Sequence, residues 1–228
     1  MAIDIPKMIV AVGALGTAAY GLVDACKAFG GGISNAGFVY IRRVVLALLP
    51  EGGSIEGGKT LLGADAVLAE LKASWLNGAP LADQRAIAKS LIKLRLNAGN
   101  ATMLAQKAGV DGDVLTSVAT KMSTGEALTT AETDVFGRFD LILTSALDEA
   151  YQRADQRYRN WCKLLAIPVS VVLAVLGGWT IQPSGYFQSA VFGQALIAGL
   201  LAAPLAPVAK DLASAVQVAT KAVQSMRK

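Results

Sequence analysis

Gly53-Ser54-Ile55-Glu56-Gly57-Gly58-Lys59-Thr60 matches the G-x-x-x-x-G-K-T pattern of a phosphate-binding loop letter for letter. That chemistry uses glycines so that backbone N–H groups can cradle phosphates, a lysine for the β and γ charges, and a hydroxyl for Mg²⁺. Leu141-Ile142-Leu143, with Asp148-Glu149 behind it, is the nearest thing to a Walker B strand. The context argues against the motif. A phosphate-binding loop follows a core strand of a parallel sheet, whereas Pro50 and Gly52 precede this one. No stretch of the following hundred or so residues has strand alternation. The competing reading is a Gly-rich linker, and nucleotide binding by residues 53–60 stays as an alternative.

Other chemistry is sparse. There is no histidine, and the two cysteines, Cys26 and Cys162, border apolar segments. Histidine-based triads are therefore absent, and a zinc site lacks its usual donors. Both cysteines fall on the expected reducing side, which disfavours a disulfide. Asp148, Glu149 and Asp155 with Arg153, Arg157 and Arg159 form a charged cluster. It reads as a solvated helix with an i,i+4 pair between Glu149 and Arg153, in preference to an ion or headgroup site. We expect no catalytic residues, no metal, no cofactor and no enzyme activity.

The elements that carry these residues are dominated by apolar runs. The chain has 228 residues, 54% hydrophobic and 17% charged, against about 25% charged in soluble domains. The deficit is local: a 46-residue stretch between Lys163 and Lys210 has no Asp, Glu, Lys or Arg. Residues 164–181 form an 18-residue span, flanked by Trp161 and Trp179 where interfacial aromatics would sit. Gln182-Pro183-Ser184-Gly185 is a turn, and residues 186–209 return as a second span. Pro204 and Pro207 are expected to kink or loosen its last turns. Pumps usually place an ionisable group inside the bilayer, and these spans have none. Gln194, mid-span, suits a hydrogen bond across a subunit interface.

Residues 8–23 are a 16-residue apolar run that flanking residues extend toward the roughly 20 needed to span. Its basic start is thin, with Lys7 beside Asp4, and Asp24 fits a lipoprotein cleavage site poorly. The segment is therefore expected to be kept as a first membrane helix. Gly13, Thr17, Gly21 and Ala25 recur every four residues, a small-residue stripe suited to helix packing or oligomerisation. After Gly30-Gly31-Gly32, residues 38–49 are apolar but interrupted by Arg42 and Arg43, which predicts an interfacial helix with arginines at the headgroups.

Residues 59–161 read as helical throughout. Leu61, Leu62, Val67, Leu68 and Leu71 follow helical spacing, as do Ile87, Leu91 and Leu94, with Arg85, Lys89 and Lys93 on the other side. Asp111-Gly112-Asp113 opens a short helix, Ser123-Thr124-Gly125 closes it, and Thr129 with Glu132 has capping-box spacing. A long helix then runs through Phe136, Phe139, Leu143, Leu147, Tyr151 and Tyr158 into the membrane. In the tail, Leu212, Val216, Ala219, Val223 and Met226 are spaced 4,3,4,3. That is the seam of a short coiled coil, or the apolar side of a membrane-surface helix.

The net charge of +4 is not a nucleic-acid footprint, because residues 24–163 hold 16 basic and 15 acidic residues. Arg153, Arg157, Arg159, Lys163 and the basic tail flank the spans on one side, and the 182–188 turn has no Lys or Arg. By the positive-inside rule the middle region and C-terminus face the cytoplasm, with the turn and N-terminus outside.

Phe139-Asp140, then Leu147-Asp148-Glu149-Ala150-Tyr151 and Gln152 to Arg159, lead directly into a span. This arrangement resembles uncharacterised bacterial inner-membrane proteins with an N-terminal span, a helical cytoplasmic region and a C-terminal transmembrane hairpin. Leu147 stands where that pattern has Met, and Glu149-Ala150 where it has Arg. The resemblance implies architecture and no activity.

These readings converge on an all-α polytopic membrane protein with three transmembrane helices and a helical cytoplasmic domain. The expected divisions are 1–29 as first span, 30–58 as interfacial helix and linker, 59–161 as cytoplasmic domain, 162–209 as hairpin and 210–228 as tail helix. The expected role is a self-associating scaffold or assembly component of the bacterial inner membrane, with a channel or pore as runner-up. Expected partners are the lipid bilayer, further copies of the chain and other membrane proteins, with no nucleic acid.

Overall fold

The computed structural model describes residues 5–49 and 63–226. Among them every regular element is a helix and no strand occurs. The chain divides into two units, Ser34–Tyr158 and the combination of Met1–Ile33 with Arg159–Lys228.

The unit from Ser34 to Tyr158 holds α2 (Ser34–Leu48), α3 (Ala64–Leu76), α4 (Leu81–Leu94), α5 (Ala98–Ala108), α6 (Gly112–Thr124) and the first part of α7 (Thr130–Ile181). Capping chemistry sets these boundaries. Asn97 accepts from the Gly99 and Asn100 amides at 2.9 and 3.2 Å and starts α5. Asp111 does the same for α6, accepting from Asp113 and Val114 at 3.0 and 2.9 Å. At the start of α7 the capping box is present: the Thr129 amide donates to Glu132 at 2.7 Å, and the Glu132 amide donates to the Thr129 hydroxyl at 3.3 Å. Each such cap is worth about 1 kcal/mol.

One core runs through the unit, with Ile41, Leu71, Ile92, Leu104, Leu115, Phe139, Leu143, Leu147 and Tyr151 all nearly inaccessible to solvent. Burying each aliphatic side chain contributes roughly 1.5–3 kcal/mol. Helix α2 belongs to this core through Phe38, Ile41 and Val45, and Leu49 just after it joins them. The sequence reading set it apart with the linker; the structure seats it among α3 to α7, with the Trp75 indole donating to the Ser34 carbonyl at 2.9 Å.

The other unit contains α1 (Ile5–Ala25), the remainder of α7 and α8 (Ala190–Met226). Among the described residues three helices are long and apolar enough to cross a membrane: Met8–Ala28, Thr130–Ile181 through its uncharged end, and Ala190–Asp211. Pro168, Pro204 and Pro207 lie inside helices that continue past them, as apolar membrane helices tolerate. A 3-10 turn at Tyr186–Gln188 follows Gly185 between α7 and α8. Tyr186, Phe187 and Phe192 pack edge to face there, with centroids 5.3 to 5.6 Å apart.

Candidate functional site: the membrane helices and an ion-paired cleft

Small residues build the apolar unit. Among the residues whose burial is described, Gly13, Gly16, Ala19 and Val23 are the buried positions of α1, and Gly199, Ala202, Ala203, Ala206 and Ala209 those of α8. A Cβ added at Gly16 would land on the backbone carbonyl of Ala202, so only glycine permits this approach. Gly199 is the equivalent position against α7, where a Cβ would lie 2.5 Å from the Val171 Cα. Ser170, fully buried, donates its hydroxyl to the Gly199 carbonyl at 2.7 Å. Close backbone approach and interhelical hydrogen bonds are what hold helices together where lipid removes the hydrophobic drive.

The expected stripe of Gly13, Thr17 and Gly21 is divided by this packing. Gly13 faces Ala209 of α8 in the same chain. Thr17 and Gly21 face outward, and nothing lies within 4 Å of where a Gly21 Cβ would be. The Thr17 hydroxyl donates to the Gly13 carbonyl at 3.0 Å, so it is satisfied inside its own helix. Ala14, Ala18 and Ala25 share the exposed side. Gln194 is exposed on α8.

Arg42 and Arg43 are exposed on α2, Trp161 is half-buried, and Trp179 is exposed. The tail seam residues Leu212, Val216, Ala219, Val223 and Met226 lie on α8, and their side chains fall outside the described residues. So does the whole loop Gly53 to Thr60.

In the other unit the polar faces of α4 and α7 meet. Arg85 pairs with Asp148 at 2.7 Å, while Lys89 and Lys93 reach Asp140 at 3.1 and 2.8 Å. Lys89 also donates to the Thr144 hydroxyl at 3.2 Å. Lys93 lies 4.8 Å from the centre of the Phe136 ring. The Lys93 ammonium, followed by Lys89, holds the Asp140 carboxyl below its usual range, against the opposing effect of burial. These pairs are about one-third exposed, so each contributes at most about 1 kcal/mol. Beside them is a cleft of about 280 Å³, lined by Ala82, Arg85, Ala86, Lys89, Thr144, Leu147 and Asp148. Every cation on it is paired with a carboxylate, an arrangement that fixes one helix against another.

Sequence reasoning missed this ladder, though its signal was there. Arg85, Lys89 and Lys93 recur every four residues, as do Asp140, Thr144 and Asp148, and the two stripes are complementary. It also missed Gly16 and Gly199, which no motif distinguishes from other glycines. The Glu149–Arg153 pair expected from spacing is present at 2.5 Å, largely exposed.

Among the described residues no three His, Cys, Asp or Glu side chains gather as a group that could hold a metal ion. No family model, curated protein or solved structure matches the chain.

Proposed function

We propose that the protein is a self-associating integral membrane protein of the bacterial inner membrane, serving as a scaffold or assembly component. Residues 34–158 and the C-terminus face the cytoplasm, following the positive flanks of the hairpin. Copies meet on the side of α1 turned away from α8.

One observation carries this reading. Ala14, Thr17, Ala18, Gly21 and Ala25 are all exposed along α1. Against lipid, a smooth strip of small side chains forfeits van der Waals contact, whereas a second helix can approach it closely. Exposed Gln194 supports the same view, since a carboxamide inside a span is stabilised by a hydrogen-bonding partner from a neighbouring copy. A ring of copies with a wet lumen would make the assembly a pore instead of a scaffold. Nucleotide retention would bring back the loop at residues 53–60.

The test is the mass of the complex extracted in mild detergent or native lipid. Wild type is expected as an oligomer. Gly21→Leu, which alters a position with open space around it, is expected to shift the mass toward monomer while helix content stays unchanged. A monomeric wild type under every mild condition would sink the proposal.

A further inference from the structure

We infer that α1 does not cross the membrane. It seats in the leaflet on the side of residues 34–158, and the α7–α8 hairpin alone crosses. The inference rests on the membrane reading above, and it arises from the direction in which α1 runs.

Helices α7 and α8 are antiparallel: Gly199 sits against Val171, and Ala203 joins Ala166 in one buried cluster. Residues 34–158 lead into α7, so α7 enters the membrane from their side and α8 comes back to it. The same residues are joined to α1 through Ile33. An α1 that crossed fully would have to end on their side. It would then run in the same sense as α8.

The packing is the reverse. Gly13 meets Ala209 and Leu205, while Gly16, one turn later, meets Ala202 and Ala203. Advancing along α1 means retreating along α8, so the two are antiparallel. The middle of α1 at Gly13 lies beside Ala209, next to Lys210, and its later residues lie toward the α7–α8 turn. Two helices running in the same sense, α1 and α7, cannot both cross unless the chain between them crosses back.

Nothing between them does so. Among the described residues no candidate span lies between α1 and α7, and residues 50–62 hold Glu51, Glu56 and Lys59. The connector of residues 26–33 is too short: eight residues reach at most about 28 Å when fully extended, against a hydrocarbon core of about 30 Å. It is also coiled. Cys26–Ala28 is a 3-10 turn, and the Gly31 amide donates to the Lys27 carbonyl at 2.9 Å. Gly30, Gly31 and Gly32 have φ of +68°, +96° and +45°, which side-chain-bearing residues rarely adopt.

The contacts of α1 fit a one-leaflet position. Its partners Ala166, Ala202, Ala203 and Ala209 belong to the half of the hairpin next to Lys163 and Lys210. Met8, Leu22 and Phe29 are exposed for lipid contact. Asp24 and Lys27 neutralise each other at 2.6 Å where α1 ends, the usual state of charges drawn toward a bilayer.

The test places four reporters on the full chain in sealed vesicles: an epitope ahead of Met1, an epitope after Lys228, and single cysteines at Ser145→Cys and Ser184→Cys. The cysteines are made in a Cys26→Ala, Cys162→Ala background. External protease and a membrane-impermeant maleimide then read sidedness before and after permeabilisation. Both epitopes and residue 145 are expected on one face and residue 184 on the other. An epitope ahead of Met1 that partitions with residue 184 overturns the inference. Residue 184 on the same face as the rest also overturns it, because the hairpin would not cross. Release of the protein from vesicles by alkaline carbonate would instead mark failure of the membrane reading itself.

Discussion

Glu132 is the residue on which the start of α7 depends. Its carboxylate is nearly buried and accepts from Ser117 at 2.6 Å, Lys121 at 2.8 Å and the Thr129 amide at 2.7 Å. Lys121, then Ser117 and the Thr129 amide, hold its pKa down at about 2, from an ordinary 4.5. A depressed carboxylate stabilises the fold above its unfolded pKa and loses that contribution as protons bind the folded form. The stability Glu132 contributes is therefore complete above pH 4.5 and fades between 4.5 and about 2. Glu132→Gln is expected to melt below wild type at neutral pH, with the two melting temperatures converging across that acid window. A gap that stayed constant across the window would contradict the assignment. Gly16 makes a second residue-scale prediction. Gly16→Leu drives a side chain into the Ala202 backbone, and overpacking of this kind costs about 1–3 kcal/mol or more. It is expected to lower the thermal midpoint of the detergent-solubilised protein by more than Gly21→Leu, which meets nothing inside the chain.

Among the elements, α4 and α7 are joined by paired stripes of opposite charge outside an apolar seam. A double-mutant cycle on Lys93→Met and Asp140→Asn is expected to give a coupling of about 1 kcal/mol or less, shrinking in high salt. A coupling of several kcal/mol would mean the pair is more buried than its exposure indicates. Element boundaries were the most legible part of the sequence, because caps are local: Asp111, Thr129 and Glu132 act within a few residues of themselves. Which face each element buries was harder to read. On α4 the sequence points to Ile87, Leu91 and Leu94, yet the deeply buried line is Gln84, Ala88 and Ile92, and Leu94 is 69% exposed. A helix packed on two sides admits small residues at its centre, and hydrophobicity alone does not mark them. On α2 the Arg42-Arg43 interruption suggested a surface helix. Those arginines occupy the outer side of a helix whose Phe38, Ile41 and Val45 reach the core. On α1, four-residue spacing singled out Gly13, Thr17 and Gly21, whereas Gly13, Gly16, Ala19 and Val23 are buried. The choice of face is made by the shape of α8, which lies almost 200 residues away.

At the scale of the whole molecule, the absence of charge between Lys163 and Lys210 makes the hairpin legible in the sequence. The positive-inside reading puts the N-terminus with the 182–188 turn, whereas α1 packs antiparallel to α8 with Gly13 beside Ala209; apolarity itself carries no direction. Helix α1 packs one face inside its own chain, and the other is left for a second copy in the native membrane. With Cys26 and Cys162 replaced by Ala, Gly21→Cys should form a disulfide-linked homodimer on mild oxidation of membranes. Val172→Cys, an exposed position on α7, should stay monomeric under the same oxidation. No dimer at residue 21, or equal dimer at both positions, would contradict self-association through α1.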